Sequence, residues 1–208
     1  MTDGELGPLL AAAQAGEQQA LDQFVLLTQD RVFRYALGQL QDPDLAADAT
    51  QETFTRMLSR LNRWRARIDP LAWVLAFTRN VVREFRRRRW RDRRFHRAPE
   101  PPVPPVPPVP PDTAGPPELL IRAERMAQIR LALDRLPPRQ REVVGLRILQ
   151  QLSVETTAQA MGCRPGTVKA LLHKAILNLK KMVAERGSEA PGPGPRTIQP
   201  IPRPDSTS

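Results

Sequence analysis

Residues 98–117 hold eleven of the chain's 23 prolines, including the run PPVPPVPPVPP at 101–111. Proline lacks an amide hydrogen and has a fixed φ, so this stretch can be neither helix interior nor central strand. It favours polyproline II, which rises ~3.1 Å per residue, so the segment spans on the order of 60 Å. That predicts a stiff spacer separating two pieces of the 208-residue chain. The other reading is a ligand for a proline-recognising domain. The spacer reading also explains why helical patterns flank the segment on both sides. Four parts follow: a domain at 5–97, a linker at 98–117, a domain at 118–186 and a disordered tail at 187–208, where proline, glycine and serine dominate. The expected fold class is all-α, two small helical domains joined by a proline-rich linker.

Charge narrows the partner. There are 32 basic and 22 acidic residues, a net of +10. Residues 83–97 (REFRRRRWRDRRFHR) hold nine arginines against two acids, so most of the excess sits in one short segment. Such clustering suits nucleic acid or an anionic surface better than a merely soluble basic protein. Cys163 is the sole cysteine, which rules out an internal disulfide. No apolar run approaches the ~18 residues of a spanning helix. The start MTDGELGPLL lacks the features of a signal peptide. The expectation is a soluble cytoplasmic protein without membrane insertion. No metal cluster, cofactor loop or nucleophile motif is visible, so neither an enzyme nor a small-molecule substrate is expected.

The C-terminal part has the layout of a helix-turn-helix. A helix at 118–135 stops before Pro137-Pro138, and Arg139–Leu149 form the next. Ser153 can N-cap a short helix, Val154–Met161, and Gly162 suits the turn that follows. Pro165 fits the first turn of the last helix. There Val168, Leu172, Ala175 and Leu179 recur at core-facing spacing. Ala170, His173, Lys174 and Lys181 then point outward. Arg164, Thr167 and Lys169 crowd the N-terminal end, which enters the major groove in such motifs. The bland alternative is a basic solvated helix in an unrelated bundle.

In the N-terminal part, residues 44–61 read as a helix with Asp44 as N-cap and Phe54, Met57, Leu58 and Leu61 as its buried stripe. On another face Asp48, Glu52 and Thr55 align. Acids exposed on so basic a chain suggest a basic protein partner, or simply a solvated face near a helix N-terminus. Residues 72–89 form a second helix, with Trp73, Phe77, Val81 and Phe85 inward and arginines fanning out. The loop from Trp64 to Pro70 could hold an unstacked base. Core filling is the commoner fate of Trp64 and Trp73.

Three motifs in order carry a family resemblance. Asp48–Phe54 (DATQETF) resembles D-x-x-Q-E-x-F, and Trp73–Asn80 (WVLAFTRN) resembles W-L-x-x-I-A-x-N. Leu136–Val143 (LPPRQREV), with Leu152-Ser153 and Gly166–Lys169 downstream, resembles a third, C-terminal region. These are patterns of bacterial RNA polymerase sigma factors of the extracytoplasmic function (ECF) group, whose members keep a region 2 helical bundle and a region 4 helix-turn-helix. The chain departs from the pattern at Ala170-Leu171, where the family usually has Ser-Arg.

The resemblance implies a function. The chain would bind core RNA polymerase, direct it to specific promoters and support promoter opening, with an anti-sigma factor as a further partner. Asp48, Gln51, Glu52 and Thr55 would dock on the coiled coil of polymerase's largest subunit, and region 4 would meet the flap. Trp64, Arg65, Arg67, Trp73, Asn80, Arg83 and Arg86, Arg87, Arg88 and Arg89 would engage the minus-ten element. Arg164, Thr167, Lys169, Ala170, His173 and Lys174 would read the minus-thirty-five element. A stand-alone helix-turn-helix regulator on duplex operators is the alternative, and it has no need for the acidic Asp48 face.

Overall fold

In a computed structural model, residues 5–95 and 128–188 are described, and every regular element among them is helical. The proline spacer, residues 118–127 and residues 189–208 lie outside the described residues. Helix α1 (Leu6–Gln14) turns at Gly16, which takes φ +100°, into α2 (Gln18–Leu40). On α2, Ala20, Phe24, Thr28, Val32, Ala36 and Leu40 are buried in an unbroken stripe at spacing four. That stripe is the spine against which α1, α3 and α4 pack.

Helix α3 spans Pro43–Leu58. Its N-cap is Asp42, not Asp44, and the Asp42 side chain accepts a hydrogen bond from the Leu45 amide at 3.1 Å. The proline explains the shift. Pro43 occupies the first helical position, where a fixed φ and a missing amide cost nothing, so the residue before it caps. Asp44 falls in the first turn and faces the positive end of the helix dipole. Phe54 and Met57 are buried as expected, together with Ala46, Ala49 and Thr53. Leu58 is 42% exposed and Leu61 falls in a separate short turn, so the stripe runs toward the N-terminus instead.

Helix α4 runs from Pro70 to Phe95, longer at both ends than the 72–89 expectation. Asp69 starts it, accepting from the Ala72 amide at 2.8 Å. The arginine run continues the helix because arginine is a good helix former.

Residues 128–135 form helix α5. Helix α6 (Pro138–Val144) passes into a π turn at Gly145–Leu149. Helix α7 spans Val154–Met161, and α8 spans Pro165–Ser188. Ser153 caps α7, accepting from the Thr156 amide at 2.9 Å and donating to the Thr156 hydroxyl at 2.9 Å. Ser153→Ala is expected to lower stability by about 1 kcal/mol, read from urea unfolding. Gly162 takes φ +59° and closes α7, as its position predicts. In α8, Val168 and Ala175 are fully buried, with Leu172 and Leu179 partly so.

The two halves do not stand apart. Val143, Leu146, Leu152, Ala158, Ala160, Met161 and Val168 join the same buried cluster as Leu10, Phe24, Tyr35 and Trp73. Helix α7 packs on α4, and the π turn packs on α2. Gly145 allows that approach, since a Cβ there would lie 2.5 Å from Gln39 Nε2 and 3.0 Å from the Tyr35 ring. A spacer long enough to separate the halves is also long enough to let them meet, and their apolar faces favour meeting.

Candidate docking and nucleic-acid surfaces

The acidic face of α3 is presented to solvent. Asp48, Gln51 and Thr55 are exposed, and Glu52 is half-buried. Glu52 is held in place by Arg56, whose Nε lies 2.6 Å from the Glu52 carboxylate. The other end of the Arg56 guanidinium forks onto Glu84 of α4 at 2.7 and 2.8 Å. The bond to Glu84, then that to Glu52, holds the Arg56 guanidinium above its ordinary pKa. The same bond from Arg56 holds Glu84 below the usual carboxylate range. This bridge therefore persists at neutral pH and is lost only as pH falls through that depressed value. The Glu52–Arg56 spacing of four was readable in the sequence. Glu84 was not, because only the packing of α3 on α4 brings it near.

The loop between α3 and α4 is braced from within. Trp64 is 4% exposed, and its indole Nε1 donates to the Ile68 carbonyl at 3.0 Å. Gln14 of α1 donates to the carbonyls of Leu61 at 2.7 Å and Trp64 at 3.2 Å. Trp64 thus fills core and shapes the loop, and its ring is not offered to a base in this arrangement. Arg65, Ala66 and Arg67 are the exposed residues at the tip. Trp73 is likewise interior, edge-on to Phe77 with centroids 5.1 Å apart.

The arginines of α4 divide by helical phase. Arg87 and Arg88 are exposed, and the Arg88 guanidinium sits 5.8 Å from the Phe85 ring centroid. Asn80 is exposed as well. Arg83, Arg86 and Arg89, spaced three apart, are engaged with the rest of the protein. Arg83 forks onto Glu142 of α6, with Nη2 2.8 Å from one oxygen and Nε bound to the other. Arg86 donates to the Gln39 carbonyl and to Asp134 at 3.1 Å. Arg89 donates to the Leu40 carbonyl at 3.1 Å. Glu142, 4% exposed, and Asp134 were not singled out from the sequence, because nothing local marks them as partners of α4.

On α8 the expected reading residues share one open face. Thr167, Lys169, Ala170, His173 and Lys174 are exposed, as is Arg164 in the turn before the helix. Leu171 packs partly against the main core instead of projecting outward. Asn178 donates to Gln140 at 2.8 Å and ties α8 to α6. A helix-turn-helix with a basic outward face, beside a helical half with an acidic face, is the layout of a nucleic-acid-binding class of protein.

Comparison with known proteins names that class. Residues 24–92 match the family Sigma-70 region 2, and residues 126–179 match Sigma-70, region 4. The chain is 30% identical over 197 residues to the ECF RNA polymerase sigma factor SigD of Mycobacterium tuberculosis, covering 91% of this chain and 89% of that one. It is 33% identical over 178 residues to the RNA polymerase sigma-E factor of Streptomyces coelicolor, covering 84% and 92%. Among solved structures, the fold is similar to the Bartonella quintana sigma factor RpoE crystallised with the anti-sigma factor NepR (TM-score 0.60, 22% identity, 79% and 96% covered). It is also similar to CnrH in complex with the cytosolic domain of CnrY (TM-score 0.64, 18% identity, 87% and 98% covered). The chain belongs to the ECF group of RNA polymerase sigma factors. No described helix is long and apolar enough to cross a membrane.

Proposed function

We propose that this protein binds core RNA polymerase in the cytoplasm and carries it to promoters, with catalysis left to polymerase. The observation that carries this reading is the exposed Asp48–Gln51–Thr55 face on a chain that also exposes the basic reading face of α8. A repressor needs only the second. Asp48, Gln51, Glu52 and Thr55 dock on the largest subunit's coiled coil, with Arg56 and Glu84 holding Glu52 in position. Arg65 and Arg67 at the loop tip, with Asn80, Arg87 and Arg88, meet the minus-ten strand. Arg164, Thr167, Lys169, Ala170, His173 and Lys174 meet the minus-thirty-five element, and region 4 also meets the flap.

Residues 5–97 and 118–186 act as two domains that part when polymerase is bound, and the 98–117 linker spans the gap. Parting releases Arg83 from Glu142 and Arg86 from Asp134 for the DNA backbone, while Arg89 stays on the Leu40 carbonyl of its own half. Anti-sigma control is part of the proposal, supported by the similar sigma factor RpoE, which was solved with the anti-sigma factor NepR.

Transcription in vitro with purified core polymerase on genomic fragments tests the reading. A promoter-specific product is expected, and dependence on the protein without polymerase recruitment would sink it. Asp48→Lys is expected to weaken polymerase binding about tenfold, the effect of one reversed charge at an interface rim, while the unfolding midpoint holds. Asp48 suits the test better than Glu52, whose replacement also disturbs Arg56.

A further inference from the structure

We propose that the cleft between α2, α4 and the start of α6 is a binding site for a small phosphate-bearing anion. Tyr35, Arg79, Arg83, Arg86, Arg141 and Glu142 line this cleft, whose volume is about 510 Å³. Four buried polar atoms of these residues have no hydrogen-bond partner among the described residues: the Tyr35 hydroxyl, Nε and Nη1 of Arg79, and Nε of Arg141. Tyr35 is fully buried and Arg141 is 6% exposed. Buried polar groups are nearly always satisfied, so four orphans on three residues that line one cleft call for a ligand.

The chemistry of the orphans selects that ligand. Guanidinium groups only donate. Burial, chiefly, raises the Tyr35 pKa far above its ordinary value, so the phenol keeps its proton and can also donate. The cleft therefore asks for an acceptor with several oxygens. Glu142 accepts from Arg83 on both oxygens and from none of these four atoms. Arg141 uses Nη2 on the Leu136 carbonyl at 2.8 Å and Nη1 on Asp134 at 3.4 Å, which leaves Nε. Desolvation lowers the Arg79 pKa despite the nearby Glu142, so its charge is under-compensated where it stands. With Arg87 also in the lining, five guanidinium groups stand against two carboxylates, Glu142 in the lining and Asp134, which pairs with Arg86 and Arg141. A phosphate offers tetrahedral oxygens that match the arginine fork, and its charge offsets the excess. The walls come from both halves, so occupancy favours the packed arrangement by mass action.

Pyrophosphate titrated into the full chain by calorimetry tests the site, with thermal unfolding alongside. Saturable one-to-one binding is expected. Arg79→Met should weaken it about tenfold or more, the effect of losing a charge-assisted hydrogen bond, without lowering the midpoint of the ligand-free protein. Tyr35→Phe keeps the ring and should raise the ligand-free midpoint while weakening pyrophosphate severalfold. Arg34→Ala, an exposed arginine elsewhere on α2, should change nothing. Absence of saturable binding would mean that solvent serves these atoms, and overturns the proposal. So would unchanged affinity in Tyr35→Phe, or an equal loss in Arg34→Ala. Tighter binding of an abasic single-stranded oligonucleotide than of pyrophosphate would assign the site to the DNA backbone and overturn the small-anion reading.

Discussion

Trp64→Ala is expected to lose about 3–5 kcal/mol of stability, the usual cost of emptying a buried aromatic site. Trp64 is 4% exposed and joins the main core. Its indole nitrogen holds the Ile68 carbonyl, and its own carbonyl accepts from Gln14 and Arg65. Deletion leaves a cavity and an unbraced loop together. Against a typical domain stability of about 5–15 kcal/mol, that is a large share. Urea unfolding checks it, and Trp64→Phe should recover part of the loss by refilling the cavity. A loss below about 1 kcal/mol would return Trp64 to the role of a base-stacking residue with little structural duty. A promoter-opening defect in Trp64→Ala is expected too, but as a consequence of the disordered loop.

The second large effect is expected at Glu142. Its side chain is 5% exposed and the partner Arg83 side chain is 36% exposed. Glu142→Lys replaces the carboxylate that lines an arginine-rich cleft with another cation. Breaking a buried pair costs about 3–5 kcal/mol, and the half-open position of Arg83 places this case near the lower end. That loss falls on the contact between halves, so they should part while each keeps its helices. Small-angle scattering checks it through an increased radius of gyration at unchanged helical circular dichroism. The swapped pair, Arg83→Glu with Glu142→Lys, should restore the smaller radius. Identical scattering from wild type and Glu142→Lys would show that apolar packing of α7 on α4 holds the halves without the ion pair.

Helix order, the Ser153 cap, the Gly162 turn and the Pro165 start were all legible because each depends on residues within one or two turns. The inward stripe of α8 and its exposed basic face follow from the same 3.6-residue period. Asp44 was misplaced as a cap because the competing local signal, proline at the first helical position, moves the cap back by two residues, to Asp42. Trp64 stayed open between two readings, since an aromatic beside a loop has no periodic pattern to assign its face. Glu84, Glu142 and Asp134 carry no local mark, and their arginine partners lie 28, 59 and 48 positions away.

Residues alone therefore decide that the chain is helical, that a proline-rich stretch lies between two helical patterns, and that an acidic face precedes that stretch and a basic helix follows it. These are matters of backbone sterics, periodicity and net charge, each set over a few neighbouring positions. Which arginines face solvent and which are held by the other half is decided only by the packed chain. So is the meeting of α4 with α6 and α7 over a cleft of unsatisfied donors. Both depend on apolar surfaces far apart in sequence finding each other, and that pairing is a property of the whole buried core.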